Sequence, residues 1–111
     1  MIEKRISVRL PVDLEVRFTD DSKEYLGRIL NISAEGVFLK ASRLFESGDI
    51  LNLSIHLPGR SEPLQVMGSV KWGGSIEGAG LTTFGIGVHF ENLVPSAREE
   101  IDLFIRHLLK A

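Results

Sequence analysis

"LNLSIHL", residues 51–57, decides the architecture. Leu51, Leu53, Ile55 and Leu57 fall on one side of an extended chain, and Asn52, Ser54 and His56 on the other. A period of two is the mark of a half-buried β-strand. Turn chemistry bounds the stretch, Ser47-Gly48-Asp49 before it and Pro58-Gly59-Arg60-Ser61 after it. The same alternation recurs upstream. Val12, Leu14, Val16 and Phe18 oppose Asp13, Glu15 and Arg17, and Asp20-Asp21-Ser22 ends the run. Tyr25 to Ile32 reads as a second strand, with Gly27 the candidate for a bulge. Val37-Phe38-Leu39 resumes the extended chain after Gly36. Downstream, Leu64 to Trp72 forms a strand with Val66, Val70 and Trp72 on one face. Phe84, Ile86, Val88 and Phe90 mark the last strand. Between these two, "GGSIEGAG" at 73–80 is glycine-rich and reads as a mobile loop.

The C-terminal end changes period. Ser96-Ala97-Arg98-Glu99 has the spacing of a capping box, with Pro95 ahead of it and Glu99 and Glu100 in the first turn. Ile101, Phe104, Ile105, Leu108 and Leu109 then follow at helical spacing and make one apolar stripe. About six short antiparallel strands followed by one helix predict an all-β-dominated fold, a small barrel closed or flanked by that helix. The stripe serves a core contact or a dimer seam equally well, so monomer and homodimer both stay open. The predicted organisation is one domain: a basic segment over 1–10, a barrel over 11–94 and a helix over 95–111.

Composition narrows the function. A chain of 111 residues, 43% hydrophobic and 25% charged, has the material for a packed core. It has no cysteine, which removes disulfides, thiolate metal sites and a cysteine nucleophile, and fits a reducing cytoplasm. No apolar run is long enough to insert in a membrane, and no apolar region follows the basic N-terminal pair as a secretory signal requires. A net charge of −2 argues against a general binder of duplex nucleic acid. Single-stranded RNA needs exposed aromatic side chains and a basic groove, and one Trp with one Tyr offers little of the first. His56, His89 and His107 are dispersed and lack metal-site spacing, and no nucleophile–base pair stands out. An enzyme is therefore the least supported class.

Against that acidic balance, the N-terminus is basic. "EKRISVRL", residues 3–10, holds Lys4, Arg5 and Arg9 against Glu3, a local charge of +2. These cations repel one another and lack a packing face, so the segment is expected to move until an anion orders it. Arg5 and Arg9 form R-x-x-x-R. A second pattern, "NISAEG" at 31–36, places Asn31, Ser33 and Gly36 as N-x-S-x-x-G in the turn between the second and third strands. Each pattern is common alone, and the second is also simple turn chemistry. In this order, ahead of an all-β body and a final helix, they are specific.

With both motifs, "GSVKW" at 68–72, "GIGVHF" at 85–90 and the terminal helix, nearly the whole chain resembles the PilZ domain family, bacterial receptors for cyclic di-GMP. The resemblance implies a six-stranded antiparallel split barrel with a flanking helix. It implies an arginine arm that closes over the ligand and a turn on the barrel surface beneath it. Arg5 and Arg9 take the arginine roles, and Asn31, Ser33 and Gly36 those of the turn. Lys4 matches a further basic position, and Trp72 an aromatic one beside the ligand. Asn31 stands where Asp is commoner, which removes one ionised acceptor. The implied protein is not an enzyme and holds no metal and no cofactor beyond its ligand. It signals to a protein partner in motility, exopolysaccharide or pilus control. A PilZ-fold adaptor that binds no nucleotide is the alternative reading.

The residue chemistry suits such a ligand. A guanidinium makes two parallel hydrogen bonds to guanine O6 and N7, worth about 1–3 kcal/mol of discrimination in DNA recognition. It also stacks on a purine or pairs with a phosphate oxygen. Ser33 can donate to either group, Asn31 can donate and accept, and Gly36 allows an approach that a Cβ would block.

Overall fold

The computed structural model describes residues 8–76 and 83–110 and contains the expected elements in the expected order. They are β1 (Leu10–Thr19), β2 (Glu24–Ile32), β3 (Gly36–Ala41), β4 (Ile50–Ile55), β5 (Leu64–Ile76), β6 (Thr83–Glu91) and α1 (Pro95–Lys110). Every neighbouring pair is antiparallel. The order β1-β2-β3-β6-β5-β4 returns from β4 to β1 and closes a barrel. The alternation of 51–57 is realised directly: Leu51, Leu53 and Ile55 are fully buried, with Val16 and Phe18 of the paired β1 beside them. Burying each such side chain contributes roughly 1.5–3 kcal/mol, which is what fixes the register.

The link from β3 to β4 must cross an end of the barrel, because its two strands are not neighbours. It carries Phe45 into the core, where the ring meets Phe18 at 5.7 Å and Tyr25 at 5.2 Å, both edge-on. Arg43 lies over the Phe45 ring at 4.8 Å and pairs with Asp20 of the β1–β2 turn at 3.2 Å. Asp20 Oδ1 accepts from the backbone N–H groups of Ser22 (2.8 Å) and Lys23 (2.9 Å). These donors, chiefly Ser22, with Arg43 adding, hold the Asp20 carboxyl down to about 2.

Four expectations are corrected. The expected loop over 73–80 is not one from Gly73 to Ile76: Gly73, Gly74, Ser75 and Ile76 continue β5 and pair with β6 out to Thr83, and the rest of that expectation lies outside the described residues. The ladder to β6 gives these glycines the partners that their composition could not reveal. Gly27 is not a bulge. It pairs regularly with Val16, and a Cβ there would sit 2.6 Å from Lys40 O, so the missing side chain makes room for that carbonyl. The register shifts fall instead between Ile29 and Asn31 on β2, between Val70 and Trp72 on β5, and between Pro11 and Leu14 on β1. Trp72 therefore leaves the inward face of Val66 and Val70 and is 51% exposed. Finally, α1 begins one residue before the proposed cap. Pro95 takes the first helical position, and the Arg98 N–H donates to Val94 O at 3.1 Å. Glu99 and Glu100 thus follow the first turn, and Glu100 pairs with Arg60 at 3.0 Å. Ala97, Ile101 and Ile105 bury the helix on the core, while Leu109 drops out of the stripe into solvent.

Candidate functional site

The two motifs meet. Arg9 Nη1 donates to Asn31 Oδ1 at 3.2 Å across 22 positions of sequence. The bulge at Leu30 makes this contact available. It lets Ile29 and Ile32 both turn inward, fully buried, while Asn31 between them stays on the outer surface. With its Oδ1 committed to Arg9, the Asn31 amide keeps its N–H groups for an acceptor. Lys4 and Arg5 lie outside the described residues.

The bend beyond Asn31 is built from its own side chain. The Ser33 N–H donates to Gly36 O at 2.9 Å, the Ser33 hydroxyl donates to the same oxygen at 3.4 Å, and it accepts from the Glu35 N–H at 3.2 Å. Ser33 is 4% exposed. Its hydroxyl holds the shape of the bend, which is the turn-capping role the sequence allowed. Gly36 is required by a close approach: a Cβ there would sit 2.1 Å from Val88 O, a backbone atom of β6. Gly36 thus admits β6 tightly against the bend.

The outer face beside this bend is a row across four strands. Asn31 on β2 pairs with Phe38 on β3, Phe38 with Gly87 on β6, and Gly87 with Trp72 on β5. Gly87 presents no side chain, so the flanking rings close over it and stack, with centroids 5.2 Å apart and planes at 25°. A Cβ on Gly87 would meet the Trp72 indole, and one on Gly85 the Phe38 ring. The next outward row holds Gly36, His89 and Ser69. Of these rows, Gly36, Trp72, Gly87 and His89 line a groove of about 180 Å³ together with Arg9, Ser33, Glu35 and Lys71. A larger concavity of about 740 Å³ lies between the start of β1, the β4–β5 turn and α1. It is mostly apolar and contains no residue of either motif, so the smaller groove is the candidate site.

Chemically, the groove offers a guanidinium, an ammonium and an exposed indole face, with the Glu35 carboxylate also on its lining. That set suits an anion joined to a flat aromatic ring. Sequence reasoning brought Arg9, Asn31, Ser33, Gly36 and Trp72 to this place. It missed Phe38, Lys71 and His89. The one available signal was "GIG" at 85–87: glycines at alternate positions on an outward strand face mark something lying over the strand. Among the described residues, no cluster of His, Cys, Asp or Glu could hold a metal ion, and no helix is long and apolar enough to cross a membrane.

Comparison with known proteins gives the arrangement a context. No curated protein matches the chain. Solved structures share its fold. The Bacillus subtilis inhibitor of motility MotI/DgrA aligns with a TM-score of 0.76 at 21% identity, over 98% of this chain and 53% of that one. K. pneumonia MrkH in its apo state aligns with a TM-score of 0.81 at 18% identity, over 97% and 52%. This chain therefore spans about half the length of those two. The PilZ domain of YcgR from Escherichia coli, solved with c-di-GMP, aligns with a TM-score of 0.77 at 14% identity, over 97% and 93%. The PilZ domain family itself matches residues 3–107 of the sequence. Because that match runs from the arginine segment to the last turns of α1, and not over the barrel alone, the chain belongs to the PilZ domain family.

Proposed function

We propose that this chain is a receptor for cyclic di-GMP and that its groove, completed by the N-terminal arginines, is the binding site. The single observation that carries the reading is the Arg9–Asn31 hydrogen bond, which joins the two motifs at the edge of a groove that holds a guanidinium, an ammonium and an indole. Family membership supports it, as does the solution of the YcgR PilZ domain with the same dinucleotide. Arg9 and Arg5 contact guanine or phosphate, Trp72 offers a face to a base, and Asn31 donates from its amide. Ser33 and Gly36 act through the shape of the bend. Residues 1–10 order across the ligand, at a cost below the roughly 2–5 kcal/mol of larger coupled folding events. The ordered arm is the surface that a protein partner reads in the cytoplasm, and no step of this function is catalytic.

Calorimetric titration with cyclic di-GMP, beside GMP and linear pGpG, tests the reading. The cyclic form should bind selectively, with losses of tenfold or more in Arg5→Ala, Arg9→Ala and Ser33→Ala, about 1.4 kcal/mol each. Absence of heat with any nucleotide sinks it and leaves the adaptor.

A further inference from the structure

We propose that His89 contacts the ligand and that its protonation sets how strongly the groove holds phosphate. This rests on the cyclic di-GMP reading and adds a regulation to it. His89 sits on the outward face of β6, directly between Gly36 on β3 and Ser69 on β5. It lines the same groove as Arg9, Lys71 and Trp72. Its ring is clamped. His89 Nδ1 lies 3.2 Å from Glu91 Oε2, and the Ser69 hydroxyl donates to that same oxygen at 2.8 Å. The Ser69 and His89 hydrogen bonds hold the Glu91 carboxyl below its usual range, so it stays ionised wherever an imidazole titrates. An ionised carboxylate only accepts, so Nδ1 must carry a proton and Nε2 is the nitrogen left for a ligand.

Nε2 then has two chemistries. In the neutral ring it accepts and suits a guanine N–H. In the protonated ring it donates and suits a phosphodiester oxygen. The surroundings make the switch count. The charged groups around His89 are Glu91 on its own strand, Lys71 on β5, Arg9 ahead of β1 and Glu35 in the β2–β3 bend. Among the described residues, the two cations and two carboxylates cancel, so one proton on His89 takes the local formal charge from zero to +1. A cyclic dinucleotide with two phosphodiesters responds to that change. Imidazole is also the side chain that alters its charge between about pH 5 and 8.

Titration of the whole chain with cyclic di-GMP across this range tests the idea, using native protein, His89→Gln, Glu91→Gln and Arg9→Ala. Native affinity should rise about fivefold to tenfold as pH falls, the size of one hydrogen bond gaining charge assistance. His89→Gln should bind with a flat profile. Glu91→Gln should weaken the rise, because a neutral amide no longer fixes the Nδ1 proton and so no longer keeps Nε2 for the ligand. A purely structural His89 would lower affinity equally at every pH, or leave it unchanged. If the native protein binds, Arg9→Ala is weakened, and native and His89→Gln profiles coincide, this proposal fails and the receptor reading survives. No binding at any pH overturns both.

Discussion

Two glycines show how the candidate site is shaped by missing side chains, and their substitutions should differ in kind. At Gly36 the obstacle to a Cβ is backbone, Val88 O at 2.1 Å, which cannot rotate away. Gly36→Ala should force β3 from β6 and cost about 1–3 kcal/mol, the usual range for overpacking, read as a lower urea midpoint. At Gly87 the obstacle is the Trp72 indole, a side chain half in solvent. Gly87→Ala should leave the urea midpoint nearly unchanged and push the indole off its stack with Phe38. Trp72 is the only tryptophan in the chain, so its emission reports this without interference. A native emission spectrum in Gly87→Ala would show that the glycine does not seat the ring. Equal urea midpoints for native protein and Gly36→Ala would show that the close approach is not enforced. Asn31 belongs to the same scale. It meets Arg9 as a neutral acceptor, so the joint between the motifs is a hydrogen bond where Asp would make an ion pair.

Strands and turns were legible to different depths. The inward alternation of 51–57 and of 12–18 was readable because burial imposes a period of two on one face. The bulges at Leu30 and Lys71 were not, since an extra residue leaves composition untouched and only shifts which later side chains point out. The motifs therefore point to Asn31 and Trp72 but not to the device that turns Trp72 outward, nor to Lys71, the extra residue of that bulge, lining one groove with His89. Strand β5 ran past Trp72 for a related reason: its glycines draw their order from β6, not from themselves. The β1–β2 turn was visible as Asp20-Asp21-Ser22, but the energetics were not. Asp20 titrates at about 2 in the folded chain against an ordinary 3.8, because Ser22, Lys23 and Arg43 stabilise its charged form. A depressed carboxyl stabilises the fold above its unfolded value, and that stabilisation disappears as pH falls from 3.8 towards about 2. Asp20→Asn keeps an acceptor for the turn N–H groups and removes the titration. It should lower stability at neutral pH and flatten the decline across that acid window in chemical denaturation. A variant as acid-sensitive as the native protein would place the linkage elsewhere.

Closure gives the whole molecule its stiffness and decides where it is vulnerable. Closure gives every strand two neighbours, so the candidate-site rows are held from both sides on β2, β3 and β6, whereas Trp72 lies beyond the β4 ladder, which ends at Ser69, and is paired with β6 alone. The seam that completes the circle is short: β1 meets β4 only from Val16–Ile55 to Thr19–Asn52, whereas β5 and β6 pair from Met67–Glu91 to Ile76–Thr83. Hydrogen bonds alone do not account for a closed state with so brief a seam, because each contributes only about 0.5–1.5 kcal/mol net. The shared core does: Val16, Phe18, Leu53 and Ile55 at the seam belong to the same buried cluster as Ala97, Ile101 and Ile105 of α1. The helix is thus part of the barrel's core and not an appendage. Ile101 is 1% exposed, and Ile101→Ala should cost about 2–5 kcal/mol, a large share of the roughly 5–15 kcal/mol typical of a domain. The loss should be global, with far-ultraviolet circular dichroism and Trp72 emission falling along one coincident urea transition, while the folded fraction keeps native ligand affinity. Separate transitions, with helical signal lost first and Trp72 emission unmoved, would mean that α1 only leans on a barrel able to close without it.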